Sequence, residues 1–362
     1  MEFILSICIP TYNRADSLGQ LLTSIHRNFN EELKEKVEII ISDNNSPDHS
    51  YEVVANFQDQ LPIKYFRNGS NIGVTANILK VTTYAKGKYG WIIGDDDLLA
   101  EDSLKNIVET LENAKNTKGF IIGFSYEKSE IKSSVLEGDS SCLNHESQIS
   151  DKIPNNILWE ESFSYIKRPD GFLTSIVSHI FYLKDWNKYL NTYLGQVEGQ
   201  NNALESTVGT FAYLMLWSDM FAGKSLGVIQ EPVIYFCIGE QKWIGKWKTI
   251  SFTFLLDVYS YFRKLGVSDN IIRQLTEQHF KNNKDTLKEV IQHPDEYSSR
   301  HFSLGQLIRK YKDSVAFWYL LSQVVSLDQQ NNVRKVTIYG FSSKGFYKIF
   351  LKSLIVQFLK KI

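Results

Sequence analysis

Apolar, strand-like runs alternate with helically spaced apolar residues through the first 126 positions. That alternation restricts the fold more than any other feature of the chain. Residues 3–9 form an apolar run ended by Pro10. A helix follows, carrying Leu18, Leu21, Leu22 and Ile25 at helical spacing, with Asp16 or Ser17 as its cap. Residues 37–41 are a second β-rich run, closed by the turn cluster Ser42-Asp43-Asn44-Asn45-Ser46-Pro47. The pattern continues with a short helix over 51–57, a strand over 63–66, a loop over 67–73 and a helix over 74–85. A strand over 89–93, a helix over 103–114 and a fifth strand over 119–126 complete it. Such repetition predicts an α/β fold, a mostly parallel sheet with helices on both faces. Ligands of such sheets sit beyond the carboxyl ends of the strands. The polar clusters at 11–14, 43–46 and 95–97 all follow strands, so they are expected to converge on one edge.

Downstream the pattern weakens. Residues 127–156 are rich in Ser, Glu, Asp and Lys and read as a linker or a flexible flap. Residues 172–183 are β-like and contain His179, read as a core or acceptor-site histidine rather than a catalyst. Residues 204–221 read as a buried helix. Residues 226–237 read as a strand interrupted by Glu231-Pro232, and from Ser251 onward the chain is largely helical. The expected division is a domain over 1–250 and a helical C-terminal region over 251–362. Within the first, 1–126 and 157–250 would form two halves.

The stretch Trp91-Ile92-Ile93-Gly94-Asp95-Asp96-Asp97 carries the sharpest chemical signal. Three consecutive carboxylates repel one another, and desolvating them is costly unless a cation compensates. At a strand end they suit Mg²⁺ or Mn²⁺, hard ions that take oxygen ligands and are completed by substrate phosphates. The alternative is a solvated acidic turn that caps the next helix.

The net charge of -1 lacks the basic excess a nucleic-acid-binding protein needs. Cys8, Cys142 and Cys237 are far apart, which suggests neither a disulfide framework nor a zinc site and fits a reducing cytoplasm. The first residues do not read as a signal peptide, and no apolar run reaches the ~20 residues that span a bilayer. Twenty-two Phe, 19 Tyr and 7 Trp mean either a dense core or stacking platforms for sugars.

Pro10-Thr11-Tyr12-Asn13-Arg14, then Asp43-Asn44, then Asn71-Ile72-Gly73, then Asp95-Asp96-Asp97, each on its expected loop, resembles a family 2 glycosyltransferase of the GT-A fold. The resemblance is strong over 5–126 and extends more weakly to about 247. It implies a Rossmann-like α/β sheet and inverting, metal-dependent transfer of a sugar from a nucleoside diphosphate. The implied acceptor is a glycan or lipid-linked glycan, as in O-antigen or capsule assembly.

The resemblance also implies roles: residues 1–126 would bind the nucleotide sugar and 157–250 the acceptor. Pro10, Thr11 and Tyr12 would line the nucleobase and ribose, with Tyr12 stacking on the base. Arg14 would neutralise diphosphate. Asp43 would accept from a uracil imide N–H, making a UDP-sugar the first donor to test. Asn71, Gly73 and Asn77 would approach the nucleotide, with helix capping as the other role for Asn71. Asp97 would ligate the metal, Asp95 would serve the metal or the donor ribose, and Asp96 would lie near the donor sugar. Members often carry Asp-x-Asp-Asp, and here Gly94 stands where the first Asp would be. The implied catalytic base is an Asp or Glu in the second half. Glu205 fits by position, with Asp219, Asp170 and Glu198 as rivals. Trp243, Lys246, Trp247 and Lys248 read as a loop closing over pyrophosphate or as a surface amphipathic turn.

Residues 344–362 contain five lysines, no acids and several Phe and Leu. They suit an interfacial helix on an anionic membrane, or packing against protein. A cytoplasmic enzyme, peripheral on the membrane's inner face, is the corresponding expectation. Two other classes remain open at this stage: a nucleotidyltransferase, and a non-catalytic glycan- or nucleotide-binding protein on the same fold.

Overall fold

The strands bury their side chains because helices cover both faces of the sheet they build. In the computed structural model, residues 3–114, 116–137, 143, 145–198, 206–238, 250–286 and 317 are described. β1 (Leu5–Thr11) is buried throughout except at Pro10. α1 (Ala15–Asn28) lays Leu18, Leu21, Leu22 and Ile25 inward at helical spacing. A short α2 (Glu31–Lys34) leads to β2 (Val37–Asp43), every residue of which is buried. Then come α3 (Ser50–Ala55), β3 (Ile63–Arg67), α4 (Val74–Val81), β4 (Tyr89–Ile92), the two-residue β5 (Leu98–Leu99) and α5 (Ser103–Asn113).

The second half supplies β6 (Gly119–Ile122), β7 (Ser125–Lys128), α6 (Lys132–Glu137), β8 (Asn156–Leu158), α7 (Trp159–Ser162), α8 (Pro169–Thr174) and β9 (His179–Tyr182). α9 (Leu183–Val197), α10 (Thr207–Phe221), β10 (Ser225–Ile229) and β11 (Ile234–Ile238) follow.

Eight strands form the main sheet in the order β3-β2-β1-β4-β9-β6-β10-β8. The pairs β3–β2, β2–β1, β1–β4 and β10–β6 are parallel. β9 inserts antiparallel between β4 and β6, and β8 runs antiparallel to β10. A second, three-stranded sheet has the order β5-β11-β7. The α/β architecture is therefore the one the strand–helix alternation predicts.

Several local expectations change. The single fifth strand is two strands in two sheets. At the break, Gly123 donates its N–H to Ile229 O, and a Cβ there would sit 2.1 Å from Gln230 O. The close approach of two backbones forces the crossing. The interruption at Glu231-Pro232 is the matching crossing, from β10 to β11. Part of the stretch read as linker over 127–156 belongs to β7, α6 and β8. Residues 172–183 are strand only from His179. The preceding α8 starts with Pro169 in its first turn, where proline's fixed φ favours a helix. Neither Asp16 nor Ser17 caps α1; the Ala15 N–H donates to Asp48 Oδ2 at 2.9 Å instead.

The aromatic residues are largely core. Trp91, Trp159, Trp186 and Trp217 are fully buried, and Phe181 stacks on Trp186 with centroids 4.1 Å apart. His179 lies among Trp217, Phe221 and Phe172, with Nδ1 2.8 Å from Ser178 Oγ. Burial pulls its pKa down to about 3, so the ring is neutral. Cys8 and Cys237 are both buried.

By its contacts the chain divides into two compact units, Met1–Lys242 with Leu265–Val267, and Trp243–Lys264 with Ser268–Ile362. The described part of the second is helical. Ser268 caps the helix Asp269–Asn282 by accepting from Ile271 N, and Phe280 packs on Phe317 and Phe252. Among the described residues no helix is long and apolar enough to cross a membrane. Cys142, residues 243–248 and the 344–362 tail lie outside the described residues.

Candidate active site

The carboxyl ends of β1, β2, β3 and β4 meet at one edge, and three layers of polar side chains assemble there. The deepest layer is held by Asn77 in α4. Its Oδ1 accepts from Ser42 Oγ at 2.7 Å and from Asn68 Nδ2 at 3.0 Å. Its Nδ2 donates to Ser42 O at 2.9 Å and Thr11 O at 3.5 Å. All four bonding positions of the amide are filled, so Asn77 is a brace for three strand ends rather than a ligand contact.

Asn44 forms the second layer. Its Oδ1 accepts from Ile72 N at 2.9 Å and Asn68 Nδ2 at 3.1 Å, and its Nδ2 donates to Asn71 Oδ1 at 2.9 Å. The 71–73 loop is thereby fixed against β2. Asn71 Oδ1 also accepts from Gly73 N at 2.9 Å, so it shapes the turn rather than capping the helix. Gly73 has φ of 91°, which glycine adopts without strain.

Asp43 is completely buried. Ser46 N donates to its Oδ1 at 2.7 Å and Tyr65 OH donates to its Oδ2. Ser46 Oγ in turn accepts from Asn13 N at 2.9 Å, which joins the 43–46 turn to the 11–14 segment. Tyr12 projects from that segment, 40% exposed beside this buried network.

The acidic triplet forms the third layer. Thr11 Oγ1 donates to Asp95 Oδ2 at 2.7 Å. Arg14 Nη1 donates to Asp95 Oδ1 at 3.0 Å and to Asp96 Oδ2 at 2.6 Å. Asp97 has backbone partners instead: Cys237 N donates to its Oδ1 at 3.1 Å and Gly94 N to its Oδ2 at 3.2 Å. The three carboxylates are nearly buried. Burial, then the Asp96 charge, push the Asp95 carboxyl up to about 6, against the pull of Arg14 and Thr11. The same two causes hold Asp97 well above the ordinary carboxylate range, opposed by the Cys237 N–H and the charge of Lys132. Such crowding is what a further cation would relieve.

A Cβ on Gly94 would lie 2.8 Å from Asp96 Oδ1 and 2.8 Å from Asp97 Oδ2. The two carboxylates fold back over residue 94, so a side chain there would have to displace them.

Among the described residues no three His, Cys, Asp or Glu side chains converge as a ready-made ion cage. The donor set is hard carboxylate oxygen at a strand end, which suits a divalent ion that draws its remaining ligands from phosphate and water.

The structure thus brings together Pro10, Thr11, Arg14, Asp43, Asn71, Gly73, Asn77 and residues 95–97 along these strand ends. It does not bring Asp219 there. Asp219 is in the last turn of α10 and accepts from Tyr193 OH at 2.6 Å. The opposite end of α10 adjoins the loop, where Thr75 Oγ1 donates to Gly209 O at 2.6 Å. Asp170 is buried in the first turn of α8, near Tyr126. Glu205, one residue before the Ser206 cap of α10, lies outside the described residues. The sequence placed Ser46 at this edge within the 43–46 cluster, but gave no individual role to Ser42, Asn68, Ser46 or Tyr65. The first three sit on or beside strand ends, a position that marks them; Tyr65 has no local signal.

Residues 6–181 match the family model described as glycosyl transferase family 2. Over 103 residues the chain is 45% identical to abequosyltransferase RfbV of Salmonella typhimurium, covering 28% of this chain and 30% of that protein. Over 107 residues it is 36% identical to the Campylobacter jejuni GalNAc(5)-diNAcBac-PP-undecaprenol beta-1,3-glucosyltransferase, covering 29% of this chain and 33% of that protein. The chain thus matches about a third of the length of either relative. The crystal structure of S. aureus TarS with UDP-GlcNAc superposes with a TM-score of 0.56, over 90% of this chain and 81% of that one, at 11% identity.

Proposed function

Since the chain carries a glycosyl transferase family 2 domain with the GT-A fold, we propose that it transfers a sugar from a nucleoside diphosphate to a hydroxyl of a glycan or lipid-linked glycan, with inversion. One observation carries this reading: Thr11 and Arg14 each donate a hydrogen bond to Asp95 at the carboxyl ends of β1 and β4. This places a guanidinium and a carboxylate cluster where a parallel sheet binds its ligand. The relatives' names, an abequosyltransferase and a glucosyltransferase for an undecaprenol-linked glycan, support a sugar-transfer reading, and the second supports the acceptor class.

In this reading the base lies on Tyr12. Asp43, held rigid by Tyr65 and Ser46, offers remaining lone pairs to a base N–H, which makes a UDP-sugar the first donor to test. Asp97 and Asp95 would hold Mg²⁺ or Mn²⁺. When bound, that ion supplies positive charge against the departing diphosphate. Arg14 adds a planar cation suited to phosphate. Asp96 faces the donor sugar. Glu205, next to the cap of the helix whose start is tied to the 73–75 turn, is the proposed base that takes the acceptor hydroxyl proton. Inversion needs one base opposite the leaving group, and no covalent enzyme intermediate. The basic, aromatic 344–362 tail suits a peripheral position on a cytoplasmic membrane face.

The test is a donor screen. Purified protein and Mn²⁺ are incubated with a panel of nucleotide sugars, and nucleoside diphosphate release is followed by mass spectrometry. EDTA-sensitive release from one donor, stimulated by a polyprenol-linked acceptor, is the expected result. Failure of every donor in the panel, with acceptor present, would remove the catalytic reading.

A further inference from the structure

Arg14 and the acidic triplet are assigned above to the donor's diphosphate and its cation, yet in this structure they are bonded to each other. A single nitrogen, Arg14 Nη1, lies 3.0 Å from Asp95 Oδ1 and 2.6 Å from Asp96 Oδ2. All three side chains are mostly buried, with exposures of 19%, 7% and 12%. The arrangement is built rather than incidental. Asn13 turns through a left-handed φ of 54° just before Arg14. The residues on either side are pinned to the 46–48 turn, Asn13 N to Ser46 Oγ and Ala15 N to Asp48 Oδ2, each at 2.9 Å. The segment that carries Arg14 is thus anchored on both sides.

Two carboxylates on adjacent residues repel, and the guanidinium between them offsets that repulsion and their burial. Burial disfavours the charge on Arg14, but Asp95 and Asp96 outweigh it and raise its pKa, so the group stays cationic. A divalent ion entering at Asp95 then meets a positive charge within a few ångströms, in surroundings where screening is weak. That repulsion falls only if another anion draws the guanidinium away. A diphosphate is such an anion, and its two oxygens match the fork of the guanidinium.

We propose that Arg14 is a resident counter-ion: it balances Asp95 and Asp96 while the donor is absent, and it makes cation binding conditional on the arrival of a diphosphate. The proposal rests on the reading that the triplet holds a divalent ion. Its consequence is coupling. The nucleotide strengthens cation binding, and by linkage the cation strengthens nucleotide binding by the same factor.

The experiment is a Mn²⁺ titration read from the electron paramagnetic resonance signal of free Mn²⁺. It compares wild type, Arg14→Gln and Arg14→Lys, each with and without UDP. For the wild type, UDP is expected to tighten Mn²⁺ binding about tenfold or more. Without UDP, Arg14→Gln is expected to bind Mn²⁺ roughly tenfold tighter than wild type, because the competing charge is gone. Arg14→Lys, which keeps the charge, should stay near wild type. Arg14→Gln binding Mn²⁺ no tighter than wild type in the absence of UDP overturns the proposal. No Mn²⁺ binding by wild type even with UDP overturns the cation reading itself, so the two failures are distinct. If circular dichroism shows Arg14→Gln to be unfolded, the wild type decides: equal Mn²⁺ affinity with and without UDP overturns the proposal.

Discussion

The backbone N–H of Cys237 donates to Oδ1 of Asp97 at 3.1 Å, across 140 positions of sequence. It joins the triplet after β4 to the middle of the second sheet, where β11 runs between β5 and β7. The proposed ligand is therefore aimed by backbone from the far half of the domain. Asp97→Asn keeps the shape and one acceptor but removes the charge. Calorimetric titration with UDP should show Mn²⁺-dependent tightening reduced roughly tenfold or more, with the fold retained. Equal Mn²⁺ coupling in the variant would exclude Asp97 as a ligand.

Gly94→Ala tests the close approach of the carboxylates to residue 94. The added methyl would meet Asp96 Oδ1 and Asp97 Oδ2 at 2.8 Å, so the triplet must shift. A loss of about 1–3 kcal/mol in urea unfolding is expected, together with loss of UDP affinity. Wild-type behaviour on both counts would mean the triplet relaxes freely.

Asn77→Ala tests the brace. It leaves Ser42 Oγ and Asn68 Nδ2 each without one buried partner and opens a small cavity. A destabilisation of at least about 2 kcal/mol is expected, with weakened UDP binding even though the Asn77 amide is filled by protein partners. Urea midpoints at constant slope would measure it.

His179 supplies a pH dependence with a definite sign. Burial moves its pKa from an ordinary 6.5 to about 3. Between those values the unfolded chain takes up a proton that the folded chain refuses. Stability contributed by neutral His179 is thus complete above pH 6.5 and is lost as pH falls towards 3, by at most about 1.4 kcal/mol per pH unit. His179→Phe preserves the ring packing against Trp217 and Phe221 while removing the titration. The difference in stability between variant and wild type should shift in the variant's favour as pH is lowered from 7 to 5. A difference independent of pH would show that the ring titrates normally.

Much of the donor edge is legible in the chain itself. Strand–helix alternation places positions 11–14, 43–46 and 95–97 after strands, and parallel pairing then gathers them. Roles are less legible than places. Asn77 reads as a ligand contact one turn into a helix, yet its amide is filled by Ser42, Asn68 and Thr11. Asp219 reads as a catalytic candidate from its helix, yet it lies at the end away from Thr75 and pairs with Tyr193. Local pattern reports which residues are polar, not which partners they meet.

Local apolar periodicity by itself determined the α/β class, the strand ends and the acidic triplet, because alternation and burial act over a few residues. Only the tertiary structure decided the rest. It split residues 119–128 between two sheets, brought Cys237 to Asp97 and Tyr65 to Asp43, folded two carboxylates over Gly94, and set Arg14 between two carboxylates. Those are contacts between segments far apart in the chain. Their geometry depends on how sheets and loops pack together, which no local pattern records.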